Sequence, residues 1–329
     1  MAKTDMYNHT RVTEFVLTGF KTLPEKQYLL FGVFFAIYLV TMAGNILIVS
    51  VVLSNPYLHK PMYFFLGYLA FLETCYTSTI LPRILASFIS DYHGISFKGC
   101  FIQFYCFSFL AATESYLLSA MSYDRYVAIC KPLYYATLMN NKLCVQLSLA
   151  SWIIGIVASM FTTFLLSQLN YCGPNEIDHF FCDYAPLLML SCSDTQEAEV
   201  VMTVLGSACT MPPLVFTLAS YGCIITTILR IPSNSGRSKA FSTCSSHLIV
   251  VSIFYGTLII VYILPKSEEL RALNKVFSVF YTILTPMINP FIYSLRNREF
   301  KEALRKAMSK LVAYSRVHRI QLQCTMTHM

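Results

Sequence analysis

With 329 residues, 56% of them hydrophobic and only 12% charged, and a single Trp, the chain is too apolar for a soluble globule, in which about a quarter of residues are charged. The net charge of +7 does not describe a nucleic-acid-binding face, because Lys and Arg are dispersed between apolar runs and gather in particular loops. A bilayer is the solvent that fits, and one bundle of about seven spans of 20 to 25 residues uses the length as a single domain.

The chain begins with a polar leader, residues 1–27, which carries Lys3, Asp5, Arg11, Glu14, Lys21, Glu25 and Lys26 and lacks the short apolar core of a cleavable signal. The first span is therefore expected to act as its own insertion signal. Apolar runs then predict spans at 28–53, 61–84, 97–124, 143–165, 199–229, 243–264 and 273–294. The expected organisation is a leader, a seven-helix domain over 28–295, and a tail over 296–329. Between the fourth and fifth spans, residues 166–198 hold Glu176, Asp178, Asp183, Asp194 and Glu197 without one Lys or Arg. Lys60, Arg125, Lys131, Lys142, Arg230, Arg237, Lys239 and the tail cations occupy the opposite set of loops. Positive-inside bias then places the amino terminus outside and the carboxyl terminus inside. The sequon Asn8-His9-Thr10 falls on the outer side, where Asn8 would be a glycosylation site.

Charged residues within spans are expensive and point to function. Glu73 stands mid-span in the second helix, Glu114 mid-span in the third, and Asn289 precedes Pro290 in the seventh. Two carboxylates facing each other in low dielectric cannot both stay charged alone, so convergence of these three would call for one sodium ion or one shared proton. Asp124-Arg125-Tyr126 closes the third span where a basic loop begins, a place where an ion pair can hold a bundle shut and later release its arginine.

On the outer side, Cys100 opens the third span and Cys172, Cys182 and Cys192 lie in the acidic loop, in a compartment that permits disulfides. Four cysteines allow three connectivities. His179, between Cys172 and Cys182, leaves a metal site as an alternative reading of the same loop. Phe104, Phe107, Ser108 and Ala111 share one face of the third span, above Glu114, with Leu205 and Cys209 on the fifth and Tyr255, Leu258, Ile259 and Tyr262 on the sixth at matching depth. Together with the seventh span they should enclose a mostly apolar cavity for a small neutral molecule with one polar group. Pro212 and Pro213 should break the fifth span, and Pro286 and Pro290 the seventh. In the tail, Phe300, Ala303, Leu304, Ala307, Met308 and Leu311 alternate with Arg298, Lys301, Arg305 and Lys306 as an amphipathic helix on the inner leaflet.

Three classes of membrane protein fit seven spans. A transporter or channel would want repeated halves, and the two halves of this chain do not resemble each other. A membrane enzyme would need paired catalytic acids, for which Glu73 and Glu114 are the candidates. A receptor needs a cavity and an inner switch, and both have residues assigned above.

Several long runs, in order and over almost the whole chain, resemble the rhodopsin-like seven-helix receptors and, within them, the tetrapod-type odorant receptors. They are Gly44-Asn45, Pro61 to Leu66, Met121 to Cys130, Lys239 to His247, and Pro286 to Tyr293 followed by Ser294-Leu295-Arg296-Asn297. The resemblance implies an all-α seven-helix bundle, the disulfides Cys100–Cys182 and Cys172–Cys192, and no chemistry performed on the ligand. It also implies coupling to a stimulatory, olfactory-type heterotrimeric G protein that raises cyclic AMP. It assigns coupling and switching to Asp124, Arg125, Tyr126, Tyr221, His247, Asn289, Pro290 and Tyr293. Where amine receptors carry an Asp counter-ion stands Phe107, and where a retinal Schiff base would need a lysine stands Ile283. Tyr255 replaces the tryptophan switch of the broader class, which resembles the odorant branch.

Overall fold

The computed structural model describes residues 12–20, 24–90, 92–172, 174–263, 275–296, 300–306 and 309. Asn8, Ala307, Met308, Leu311 and the side chain of Tyr262 lie outside the described residues.

Among the described residues, six helices are long and apolar enough to cross a membrane. They are Gln27–Ser54, Pro61–Ile89, Asn141–Ser167, Gln196–Leu229, Cys244–Val261 within the helix Asn234–Ile263, and Lys275–Tyr293. These are the first, second, fourth, fifth, sixth and seventh spans. The third, Phe97–Cys130, runs 34 residues and carries Lys98, Glu114, Asp124 and Arg125. Its acids are kept from lipid by packing against the second, fourth, fifth and sixth spans and the strands β1 (Glu14–Leu17) and β2 (Gly94–Ser96). Glu114 and Asp124 are both buried in that setting. The expected end at residue 124 is therefore passed by six residues, because the Asp-Arg-Tyr triplet lies within the helix rather than after it.

Contact between the third and fourth spans depends on a missing side chain. A Cβ at Gly155 would collide with the Thr113 hydroxyl and come within 2.6 Å of the Phe109 carbonyl oxygen. Small residues of this kind let membrane helices approach where no hydrophobic effect drives them together. Beside it, the Trp152 ring lies 6.0 Å from Phe109 and 6.2 Å from Phe71.

The fifth span differs from expectation, since Pro212 and Pro213 do not break it and the helix is continuous from Gln196 to Leu229. Proline deprives the carbonyl four residues earlier of its donor, and a neighbouring helix supplies one here: the Tyr116 hydroxyl donates to the Ala208 carbonyl at 3.2 Å. The seventh span repeats the device. Pro290 orphans the Pro286 carbonyl, and Asn45 of the first span donates to it at 3.2 Å. Just above, Phe280–Leu284 is wound as a π-helix, a wider turn suited to accommodating Pro286. After the seventh span, Phe300 and Ala303 are buried and Lys301, Glu302, Arg305 and Lys306 exposed, so the described part of the expected amphipathic helix has the expected faces.

Outside the spans, the leader contributes a strand, β1 (Glu14–Leu17). It pairs antiparallel with β2 (Gly94–Ser96) and parallel with β3 (Glu176–Ile177). The disulfide Cys100–Cys182 (Cα–Cα 5.5 Å) ties the acidic loop to the third span, and Cys172–Cys192 (5.9 Å) closes the loop on itself, separations that the bond geometry requires. Both thiols flanking His179 are thus consumed, which removes the metal reading of the loop. His179 is instead buried, its ring 4.5 Å from that of Phe180 and 4.7 Å from Phe181. Burial and the nearby Lys275 lower its pKa to about 3, so it stays neutral at physiological pH.

Gly155→Val is expected to separate the third and fourth spans and abolish surface expression, measured by labelling intact cells. Normal surface levels would contradict the close-approach account.

Candidate functional site

A cavity of about 830 Å³ opens in the outer half of the bundle, within the range of small-ligand sites. Phe104, Phe107, Ser108 and Ala111 of the third span line it, with Leu205 and Cys209 of the fifth and Tyr255, Leu258 and Ile259 of the sixth. These nine predicted residues come together at one place.

The structure adds walls that the sequence reading lacks. Ala158, Ser159 and Thr162 of the fourth span line the cavity, as do Tyr184, Ala185, Leu188 and Met189 around the short outer helix Tyr184–Met189. The fourth span takes the place expected of the seventh, for no described seventh-span residue lines the cavity. Aromatic rings fill that space: Phe107 lies 4.7 Å from Phe181, 5.3 Å from Tyr76 and 5.9 Å from Tyr281, centroid to centroid. A signal for the fourth span was present in Ser151, Gly155, Ser159 and Thr162, small residues recurring every three or four positions on one helical face.

The polar groups on the wall are mostly hydroxyls, and several are already committed within the protein. Ser108 donates to the Phe104 carbonyl at 2.6 Å, so its oxygen faces a ligand only as an acceptor. Thr210 donates to the Gly206 carbonyl at 2.8 Å. Two carboxylates, Asp183 and Glu199, stand at the outer end, where Asp183 caps the short helix through the Tyr184 N–H at 2.8 Å. Burial and the Glu199 charge push the Tyr184 phenol up to about 12. Among the described residues, no Lys, Arg or His lines the cavity.

Below the cavity a chain of polar contacts descends through the bundle. The Tyr255 hydroxyl donates to the Ser115 carbonyl at 3.0 Å and lies 3.1 Å from the Ser115 hydroxyl, joining the sixth span to the third beside Glu114. Glu73 accepts from Asn289 and also meets Asn45, and it stands close enough to Glu114 for the two charges to repel. Of the three expected to converge, Glu73 and Asn289 are in direct contact, and Asn45 is a further partner that sequence reasoning missed. At the inner end Arg125 pairs with Asp124, its Nε 2.9 Å from the carboxylate, and the Tyr135 hydroxyl donates to the other carboxylate oxygen at 2.7 Å. Tyr221 lies 2.7 Å from His247 Nδ1. Tyr293 is buried, and its hydroxyl has no partner among the described residues. Tyr126 is half-buried, with the Lys131 ammonium 5.9 Å from its ring centroid.

A seven-span bundle with a cavity at the end that bears the disulfide-bonded loop, a tyrosine link beneath it and an Asp124–Arg125 ion pair toward the opposite end has the architecture of a membrane receptor. The olfactory receptor family matches residues 34–311. Olfactory receptor 6B1 of Homo sapiens is 50% identical over 302 residues, covering 92% of this chain and 96% of that protein. Olfactory receptor 11L1 of Homo sapiens is 49% identical over 303 residues, 92% of this chain and 94% of its own. Olfactory receptor 5P68 of Mus musculus is 46% identical over 306 residues, 93% and 97% respectively. The chain belongs to the olfactory receptor family, as a multi-pass membrane protein of the odorant-binding, G-protein-coupled class.

Ala111→Phe should fill the cavity beside the third span and raise the concentration needed for half-maximal response for every agonist, polar or apolar. Dose-response curves coincident with wild type would mean that ligands do not occupy this cavity.

Proposed function

We propose that this receptor stands in the plasma membrane with its amino terminus outside and carboxyl terminus inside, and binds small, mostly neutral volatile molecules in the outer cavity. Binding activates a stimulatory, olfactory-type heterotrimeric G protein and raises cyclic AMP. The observation that carries the reading is the continuity from cavity wall to inner mouth: Tyr255 lines the cavity and holds Ser115 of the third span, and that same helix carries the Asp124–Arg125 pair in its last two turns. A ligand pressing on Tyr255 biases the sixth span against the third, the kind of two-state helix shift that opens an interface for another protein. Arg125 is then the group released to the G protein, with Tyr126, Tyr221, His247, Asn289, Pro290 and Tyr293 forming the hinge and inner contacts.

The chemistry of the wall supports a neutral ligand. Apolar burial contributes about 25 cal/mol per Å², while a single hydrogen bond adds about 0.5 to 1.5 kcal/mol. Such a site binds modestly and tolerates many shapes. The acidic outer loop and basic inner loops support the orientation.

Glu73 and Glu114, with Asn289 and Asn45, form the second element of the mechanism. In the closed state they hold one sodium ion or one shared proton, since two buried carboxylates repel unless one charge is offset. Glu114→Gln should remove that conflict and change basal activity in a nucleotide-exchange assay. Unchanged basal and agonist responses in both Glu73→Gln and Glu114→Gln would argue for acids that only brace the helices.

The test of the whole reading is a cyclic AMP reporter in transfected cells across a chemically diverse odorant panel. At least one class of volatile should raise cyclic AMP in wild type. Arg125→Ala should reach the surface and give no response. An Arg125→Ala receptor that signals normally would contradict the assigned role.

A further inference from the structure

A serine inside a membrane helix ordinarily donates its hydroxyl to the carbonyl three or four residues earlier, which satisfies the group without help from a neighbour. Ser151 of the fourth span donates to the Leu147 carbonyl at 2.8 Å in this way, and Ser108 of the third to the Phe104 carbonyl at 2.6 Å. Ser159 of the fourth span does not. It lines the cavity and is only 3% exposed, yet among the described residues its hydroxyl makes no hydrogen bond as donor or acceptor. Its carbonyl is served, since Thr162 donates to it at 3.1 Å. A buried hydroxyl left without a partner is costly, and the side of Ser159 that faces the cavity is where a partner can come from.

Helical geometry fixes where that hydroxyl lies. A Cβ at Gly155 would meet the Thr113 hydroxyl and the Phe109 carbonyl, so this face of the fourth span is turned to the third. Ser159 stands four residues further out and shares that face. Its backbone lies inside the continuous helix Asn141–Ser167, which leaves the hydroxymethyl group as the part that a ligand can meet. Other wall hydroxyls have already given their single proton, Ser108 and Thr210 within their own helices and Tyr255 to Ser115. Thr203 and Ser207 of the fifth span also line the cavity without a hydrogen bond, but both are exposed. Ser159 is a wall group that is buried and still has a proton to give.

We propose that the Ser159 hydroxyl is the hydrogen-bond donor for ligands of this cavity, and that it selects molecules carrying a carbonyl oxygen, such as ketones, aldehydes and esters, over hydrocarbons of the same shape. The inference rests on the cavity being the odorant site and names the chemical class that the site prefers. A carbonyl compound brings an acceptor and no proton. The Ser108 oxygen and the Glu199 carboxylate, which can only accept, give it nothing. The Ser159 proton is its partner.

The test uses the full-length receptor in the cyclic AMP assay, with methyl ketones paired with the alkenes in which a methylidene group replaces the carbonyl oxygen. The ketone-to-alkene potency ratio is compared between wild type and Ser159→Ala at matched surface expression, so that differences in volatility and partitioning cancel. Ser159→Ala should lower ketone potency by about 2- to 12-fold, the worth of one net hydrogen bond, and leave the alkene unchanged. Thr203→Ala and Ser207→Ala should keep the wild-type ratio. Ser159→Gly removes the same hydroxyl and replaces Ser159→Ala if that variant does not reach the surface. An unchanged ratio in the Ser159 variant would overturn the proposal, as would an equal loss for ketone and alkene, which marks Ser159 as a packing residue. A wild type that answers other volatiles but no carbonyl compound would overturn it too. Those results leave the odorant-receptor reading standing, whereas a wild-type receptor that answers no volatile of any class sinks that reading and this inference with it.

Discussion

A helix that carries a glutamate, an aspartate and an arginine cannot be solvated by hydrocarbon, and the rest of this bundle is arranged to keep the third span out of it. The cost of a charged group at the bilayer centre is at least about 2.5 kcal/mol. Here the third span is wrapped by the second, fourth, fifth and sixth. Gly155 lets the fourth come close, the Tyr116 hydroxyl reaches the fifth, and Ser115 meets Tyr255 of the sixth. Because these neighbours all pack on the same helix, that helix joins the cavity wall, Glu114 and the Asp124–Arg125 pair.

The second constraint is that backbone groups in a membrane need partners within the protein. Prolines violate it locally, and the responses to that violation tie the spans together. Asn45 serves both the Pro286 carbonyl and Glu73, so the first span is coupled to the kink of the seventh and to the acid pair. A hinge built in this way bends without unravelling, since the bond lost to proline is replaced by one from outside the helix.

Much of this was legible in the sequence, and the reasons differ by feature. The spans follow from apolar runs, and the nine cavity residues from helical period, because depth and face along a helix are fixed by 3.6 residues per turn. The acid pair and the Asp-Arg-Tyr triplet stand out because a charge in a span is rare. The third span was the least apolar of the seven, and the structure explains this by where it sits. What sequence could not supply were partnerships between elements far apart in the chain. Tyr135 on Asp124, Asn45 on Glu73 and the fourth-span wall all depend on packing rather than on local pattern. Pro212 and Pro213 misled for the same reason: read locally they end a helix, and only the neighbouring hydroxyl of Tyr116 shows how the helix continues. The strand Glu14–Leu17 was a β-prone run inside a leader read as polar, and its role appears only when β2 and β3 are placed beside it.

The central claim is that ligand in the outer cavity moves the inner end of the sixth span away from the third. It is tested most directly by electron-electron resonance between nitroxide labels at Tyr134 and Ser238, two exposed inner positions flanking the Asp124–Arg125 pair, in purified receptor with and without an agonist. The account predicts that agonist lengthens the distance by several ångströms, and that Tyr255→Ala, which cuts the link to Ser115, uncouples the change from ligand. An agonist that drives nucleotide exchange on the G protein while the label distance stays fixed would contradict it.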